Sequence, residues 1–185
     1  MSEYFNFFDK ISKQYFNNKS VLLIGSGGTV DDYSIIPDIF IKNGAKSCKY
    51  LEIWQDYIDA LNLLYNRKLP YKIKKGDVND ITFNFTENNF DIIVWSNGPE
   101  HVTFEDFEII INDLYYVAKD LVLLAVPYGN YWDNQEVKRN NPHEIHIQKN
   151  IQENTFDKFN FNKEIIGEKD KDTGQIFLWK ELCLQ

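Results

Sequence analysis

The sequence predicts an α/β fold. It is a three-layer sandwich with helices on both faces of a mostly parallel, seven-stranded sheet and an antiparallel C-terminal strand. Three observations predict it. Short apolar runs alternate with segments of helical periodicity as far as Val126. The best of these runs are apolar throughout rather than alternating, which suits strands buried on both faces. Two further strand-like runs, separated by a turn and no helix, close the chain.

The elements follow in order. Phe5, Phe8, Ile11 and Tyr15 recur at helical spacing, predicting an amphipathic helix over 4–17. Val21 to Ile24 is the first strand, ending at Gly25. A Gly-rich turn leads into a helix from Asp32 to Asn43, with Gly44 at its C-terminal stop. Tyr50 to Ile53 is the second strand, and Asp56 to Arg67 a helix stopped by Pro70. Tyr71 to Lys74 makes a weak third strand and Asp91 to Trp95 a strong fourth. Thr103 to Ala118 is a helix that buries Phe104, Phe107, Ile111 and Leu114. Thr103 can cap it, with Asp106 three residues on in a reciprocal pattern. Leu121 to Val126 is the fifth strand, ended by Pro127. Residues 127–147 form a loop, 150–159 a short helix, and Phe161 to Ile166 and Gln175 to Leu182 the last two strands.

Composition narrows the function. The chain has 185 residues, 43% hydrophobic and 16% aromatic, so one domain can bury roughly 70% of its unfolded surface. Twenty basic against 28 acidic residues give a net charge of −8. Binding a phosphate backbone needs a basic surface, so nucleic acid is not an expected partner. No apolar run reaches the roughly 18 residues of a membrane helix, and Met1 to Phe16 lacks the basic start and apolar core of a signal peptide, so a soluble, cytoplasmic protein is expected. Cys48 and Cys183 give neither metal spacing nor a framework of bridges, which suits reduced thiols in the cytoplasm.

In open α/β sheets, ligands bind beyond the carboxyl ends of the strands. Four features fall there. Gly25-Ser26-Gly27-Gly28 follows the first strand and lets backbone approach a ligand, or is an ordinary tight turn. Glu52 ends the second and can accept both hydroxyls of a ribose. Ile53 or Trp54 beside it can cover an adenine face or belong to the core. Gly76-Asp77-Val78 follows the third, where Asp77 is either an adenine acceptor or a turn aspartate. Ser96-Asn97-Gly98-Pro99-Glu100-His101-Val102 follows the fourth.

In their order these features resemble the class I S-adenosylmethionine-dependent methyltransferases, a Rossmann-like superfamily. Asn141-Pro142-His143-Glu144-Ile145-His146 adds to the resemblance, which covers about residues 20–182. It implies S-adenosylmethionine as cofactor. Gly25, Ser26 and Gly27 would pass beneath its methionine part, and Glu52 would hold the ribose. Ile53, Asp77 and Val78 would meet the adenine, and Ser96 and Asn97 the sulfonium end. His101 and His146 would lie near the acceptor, one of them as general base, since imidazole suits neutral pH. Glu100, Tyr128, Trp132, His143 and Glu144 would bind the substrate, a small molecule or saccharide. The chain then divides into a helix over 1–19, a cofactor-binding half over 20–126, and an acceptor loop with closing strands over 127–185.

Three positions depart from the family pattern: Leu23 for an acid, Thr29 for a glycine, and Trp54 for a serine. They keep open a non-catalytic binding protein on the same fold. A nicotinamide-dependent oxidoreductase shares the Gly-rich turn, but its third glycine would stand where Val30 is. His143 and His146, with Glu144 and Asp133, offer a metal alternative without a fixed third ligand, and no metal is assigned.

Overall fold

The computed structural model describes residues 2–25, 30–65, 71–131 and 145–182. Five α-helices and seven strands are described in this order: α1 (Glu3–Tyr15), β1 (Ser20–Ile24), α2 (Val30–Lys42), β2 (Ser47–Glu52), α3 (Gln55–Tyr65), β3 (Tyr71–Lys75), α4 (Ile81–Asn84), β4 (Phe90–Ser96), α5 (Phe104–Val117), β5 (Ala118–Pro127), β6 (Asn162–Ile166) and β7 (Gln175–Glu181). All seven strands join one sheet in the order β3-β2-β1-β4-β5-β7-β6. The pairs among β1 to β5 are parallel. β7 runs antiparallel to both β5 and β6. The predicted fold class is the observed one.

Apolar side chains explain the layers. Residues of β1, β4 and β5 project alternately to the two faces and are buried on both. Val21, Leu23, Val94 and Leu123 pack with Phe7, Phe8, Phe40 and Leu61 under α1, α2 and α3. Leu22, Ile24, Trp95 and Leu124 pack with Ile81, Phe107 and Leu114 under α4 and α5. Helix α5 begins as its sequence predicts, with the Thr103 hydroxyl accepting from the Asp106 amide. The reciprocal half differs: the Asp106 carboxylate accepts from the Thr103 hydroxyl at 2.7 Å rather than from its amide.

Two stretches differ from expectation. Residues 150–159 do not form a helix. Ile151 makes an isolated bridge to Gly129, and a single 3-10 turn spans Asp157–Phe159. The anchors of this stretch are the buried Ile151 and Phe156, a spacing of five that no helical face provides. A 3-10 turn at Val78–Asp80 running into α4 was not expected. Four residues are too few to register as a period.

Among the described residues, no helix is long and apolar enough to cross a membrane. Cys48 is a free, buried thiol, and burial pushes its ionisation up. Cys183 lies outside the described residues.

Candidate functional site

The strand order reverses between β1 and β4, so a crevice opens at their carboxyl ends. Pairing carries β1 out of the sheet at Ile24, opposite Leu51 on one side and Trp95 on the other. Gly25 therefore stands between Glu52 and Ser96. Its φ of +54° is a left-handed conformation that favours glycine, and its amide donates to the Leu51 carbonyl at 3.1 Å. Among the described residues, a Cβ built there would meet the Ser96 carbonyl oxygen, at 3.8 Å. That conformation by itself selects glycine. Ser26, Gly27, Gly28 and Thr29 lie outside the described residues.

Glu52 is only 6% exposed. Its Oε1 accepts from the amides of Ile53 and Trp54 at 2.9 and 3.0 Å, which fixes the carboxylate at the end of β2. Ile53 and Trp54 are half-buried, and the Trp54 indole meets Tyr57 edge-on at 4.5 Å. Asp77 stands one strand further out, and its Oδ1 accepts from both nitrogens of Asn79 at 2.9 Å. It caps the 3-10 turn that follows, while Val78 leans on the core beneath α4 and α5.

Ser96 is buried at the end of β4, on the side of the sheet covered by α1. Its hydroxyl and that of Tyr4 are hydrogen-bonded. The Asn97 side-chain nitrogen also donates to the Tyr4 hydroxyl, at 3.1 Å. Asn97 takes a φ of +47°, and its amide donates to the Ala125 carbonyl at 2.8 Å. Tyr4 was not singled out from the sequence. Its place in an aromatic stripe marks it as packing, and nothing in that stripe signals a hydroxyl aimed at a strand end.

Gly98 serves a different purpose. A Cβ there would fall 1.9 Å from the Trp95 indole nitrogen, so only glycine lets the chain fold back over that ring. The 3-10 turn Pro99–His101 follows and presents Glu100 and His101. Glu100 is 2% exposed and His101 21%. The His101 Nε2 lies 3.8 Å from the Glu100 Oε1. His101 and His146 meet edge-on, with ring centroids 5.0 Å apart.

A backbone seam holds His146 there. The Glu100 carbonyl accepts from the amides of Ile147 and Gln148 at 2.8 and 2.9 Å. The Gln148 side chain returns to the carbonyls of Pro99 and Val102 at 2.9 and 3.1 Å. Gln148 is another residue that sequence reasoning missed, because its partners lie more than 40 positions away.

Tyr128 is half-buried against the core under α5, and its backbone pairs with Gly174 and Asp170. Its ring leans on that core, the shielding arrangement that competes with substrate binding. Trp132, Asp133, His143 and Glu144 lie outside the described residues. Of the residues singled out from the sequence, the structure thus brings Gly25, Glu52, Ser96 and Asn97 to adjoining strand ends. Glu100, His101 and His146 gather in a second cluster on the loops beyond β4 and β5.

No protein-family profile matches the chain, and no curated protein sequence does. Solved structures are similar in fold. The N-methyltransferase NodS from Bradyrhizobium japonicum matches 97% of this chain and 94% of its own, with a TM-score of 0.68 and 10% identity. Magnesium protoporphyrin IX methyltransferase from Synechocystis, solved with bound SAH, matches 96% of this chain and 83% of its own, at TM-score 0.63 and 12% identity. A candidate Zn-dependent alcohol dehydrogenase from Rhodobacter sphaeroides matches 67% of this chain, at TM-score 0.55 and 18% identity. The chain spans about half of that protein, 47% of its length. The fold is that of the class I S-adenosylmethionine-dependent methyltransferases.

Proposed function

We propose that this chain is an S-adenosylmethionine-dependent methyltransferase acting in the cytoplasm on a small-molecule or saccharide acceptor. One observation carries the reading: antiparallel β7 lies between β5 and β6, beside a parallel half whose switch point holds Gly25 and Glu52. A nicotinamide-binding sheet of the ordinary doubly wound kind runs 3-2-1-4-5-6. The methyltransferase structures match nearly the whole chain, whereas the dehydrogenase matches two thirds of it.

The residues present fit the cofactor. Gly25 carries no side chain and takes a left-handed turn at the strand end, and Glu52 is a buried carboxylate held in place by two amides. Bound S-adenosylmethionine supplies a methyl group on positively charged sulfur. In this reading Glu52 accepts the ribose hydroxyls, and Ile53, Asp77 and Val78 border the adenine. Gly25, with Ser26 and Gly27, runs beneath the methionine part, and Ser96 and Asn97 bound the sulfonium end with Tyr4 behind them. His101 or His146 takes the acceptor's proton. Glu100, Tyr128, Trp132, His143 and Glu144 border the acceptor. The rest of the work is alignment, since displacement at an activated carbon depends on positioning.

Calorimetric titration tests this. The chain is expected to bind S-adenosylmethionine and S-adenosylhomocysteine but not NAD. Glu52→Gln is expected to weaken that binding at least tenfold, about 1.4 kcal/mol, with its circular dichroism unchanged. Binding of NAD alone, or undiminished affinity in Glu52→Gln, overturns the reading.

A further inference from the structure

We propose that Glu100, His101 and His146 form a binding site for one first-row divalent metal ion, with Zn²⁺ the best fit. The three side chains each offer a ligand atom, and these atoms all lie within 4.8 Å of one another. Donors sharing a zinc at 2.0–2.1 Å sit roughly 3 to 4 Å apart. The 3.8 Å between His101 Nε2 and Glu100 Oε1 is already in that range. The widest pair closes by about 1 Å, within the reach of a side-chain rotation.

The surroundings favour metal ligation. His101 Nδ1 lies 3.1 Å from the Ile145 carbonyl, an acceptor that holds the ring proton on Nδ1. Nε2 is then the ring nitrogen turned toward Glu100, the one placed to serve as a ligand. An imidazole oriented by a backbone carbonyl is the usual outer support of a metal-bound histidine. The two rings stand at 72°, so their nitrogens can converge on one point without stacking. Glu100 and His101 come from the loop after β4, and His146 from the segment sewn to it through Glu100 and Gln148. Two imidazoles and one carboxylate select Zn²⁺, Co²⁺ or Fe²⁺ over Mg²⁺ and Ca²⁺.

The site itself stands independently of the methyltransferase reading. Only the ion's role rests on it: an acceptor oxygen reaching the ion would be polarised and its proton made more acidic. The histidines would then act as ligands rather than as free bases.

The test uses the full chain, stripped with chelator and dialysed, with no methyl donor present. Zn²⁺ is titrated calorimetrically, and Co²⁺ is followed by its visible absorption. One ion per chain is expected, with Mg²⁺ unable to displace it. His146→Ala and Glu100→Gln should each lower affinity by more than the roughly 100-fold that outer-support changes cost. Circular dichroism and S-adenosylhomocysteine binding should stay at parent levels. Absence of stoichiometric Zn²⁺ overturns the site, as does Zn²⁺ retained by the His101→Ala/His146→Ala double variant. Metal binding without S-adenosylhomocysteine binding would fell the methyltransferase reading and leave the site standing. The reverse outcome would fell the site alone.

Discussion

Asp91 fastens the amino end of β4 to that of β1. Its Oδ2 accepts from the Ser20 amide at 2.7 Å and hydroxyl at 2.8 Å, and its own amide donates to the Ser20 hydroxyl at 3.1 Å. Burial acts to raise the carboxyl, but the Ser20 bonds, with Lys19 and Lys119 nearby, outweigh it and hold Asp91 below its ordinary value of 3.8. A lowered folded pKa contributes stability that is complete above the unfolded pKa and lost as pH falls through the folded one. Asp91→Asn is therefore expected to cost about 1 kcal/mol at neutral pH. That gap should close as pH falls below 3.8, read by urea unfolding at stepped pH. A gap that stays constant down to the lowest pH would refute the linkage. At this scale the sequence was legible where one residue's role follows from its place in the chain. Gly25 and Glu52 are required by a turn and a strand end. Tyr4 and Gln148 were illegible because their roles depend on partners more than 40 positions away.

Helix α1 shows how far an element can be read. The spacing of Phe5, Phe8, Ile11 and Tyr15 is enough to expect it. Its consequences follow only from packing. Phe7 stacks on Phe177 of β7 with centroids 3.7 Å apart, and Phe8 meets Phe40 of α2 edge-on. The helix is thus wedged between the second helix and the antiparallel strand, and Tyr4 is delivered to the end of β4. Truncating Phe7 to alanine is expected to destabilise the chain by about 3–5 kcal/mol, seen as a lower urea midpoint. A loss below about 1 kcal/mol would mean that α1 is only loosely docked. The 150–159 stretch departs from its expected helix for the opposite reason. Its buried anchors, Ile151 and Phe156, lie five apart, off any single helical face, and Ile151 is held by a bridge to the distant Gly129.

The whole molecule has a graded sheet. β1, β4 and β5 are central and buried on both faces, whereas β6 lies at one edge with exposed and half-buried side chains. Amide hydrogen exchange should be slowest in β1, β4 and β5, which open only on global unfolding, and fast in β6. Equal protection across β6 and β4 would contradict this gradient. Alternating apolar and helical segments made the layered architecture legible from the sequence. The place of β7 was less so, since two final strands without a helix specify an antiparallel pair but not which member meets β5.

That placement has a consequence for biosynthesis. β5 finds its second neighbour in Gln175–Glu181, so its outer edge stays open while the ribosome makes the 47 residues between Pro127 and Gln175. At translation speeds of about 5–20 residues per second, that leaves roughly 2 to 10 s with an apolar strand edge exposed. Such an edge is a template for pairing with another chain. The nascent protein therefore has a defined window of aggregation risk, closed when β7 slides into place and the sheet is complete.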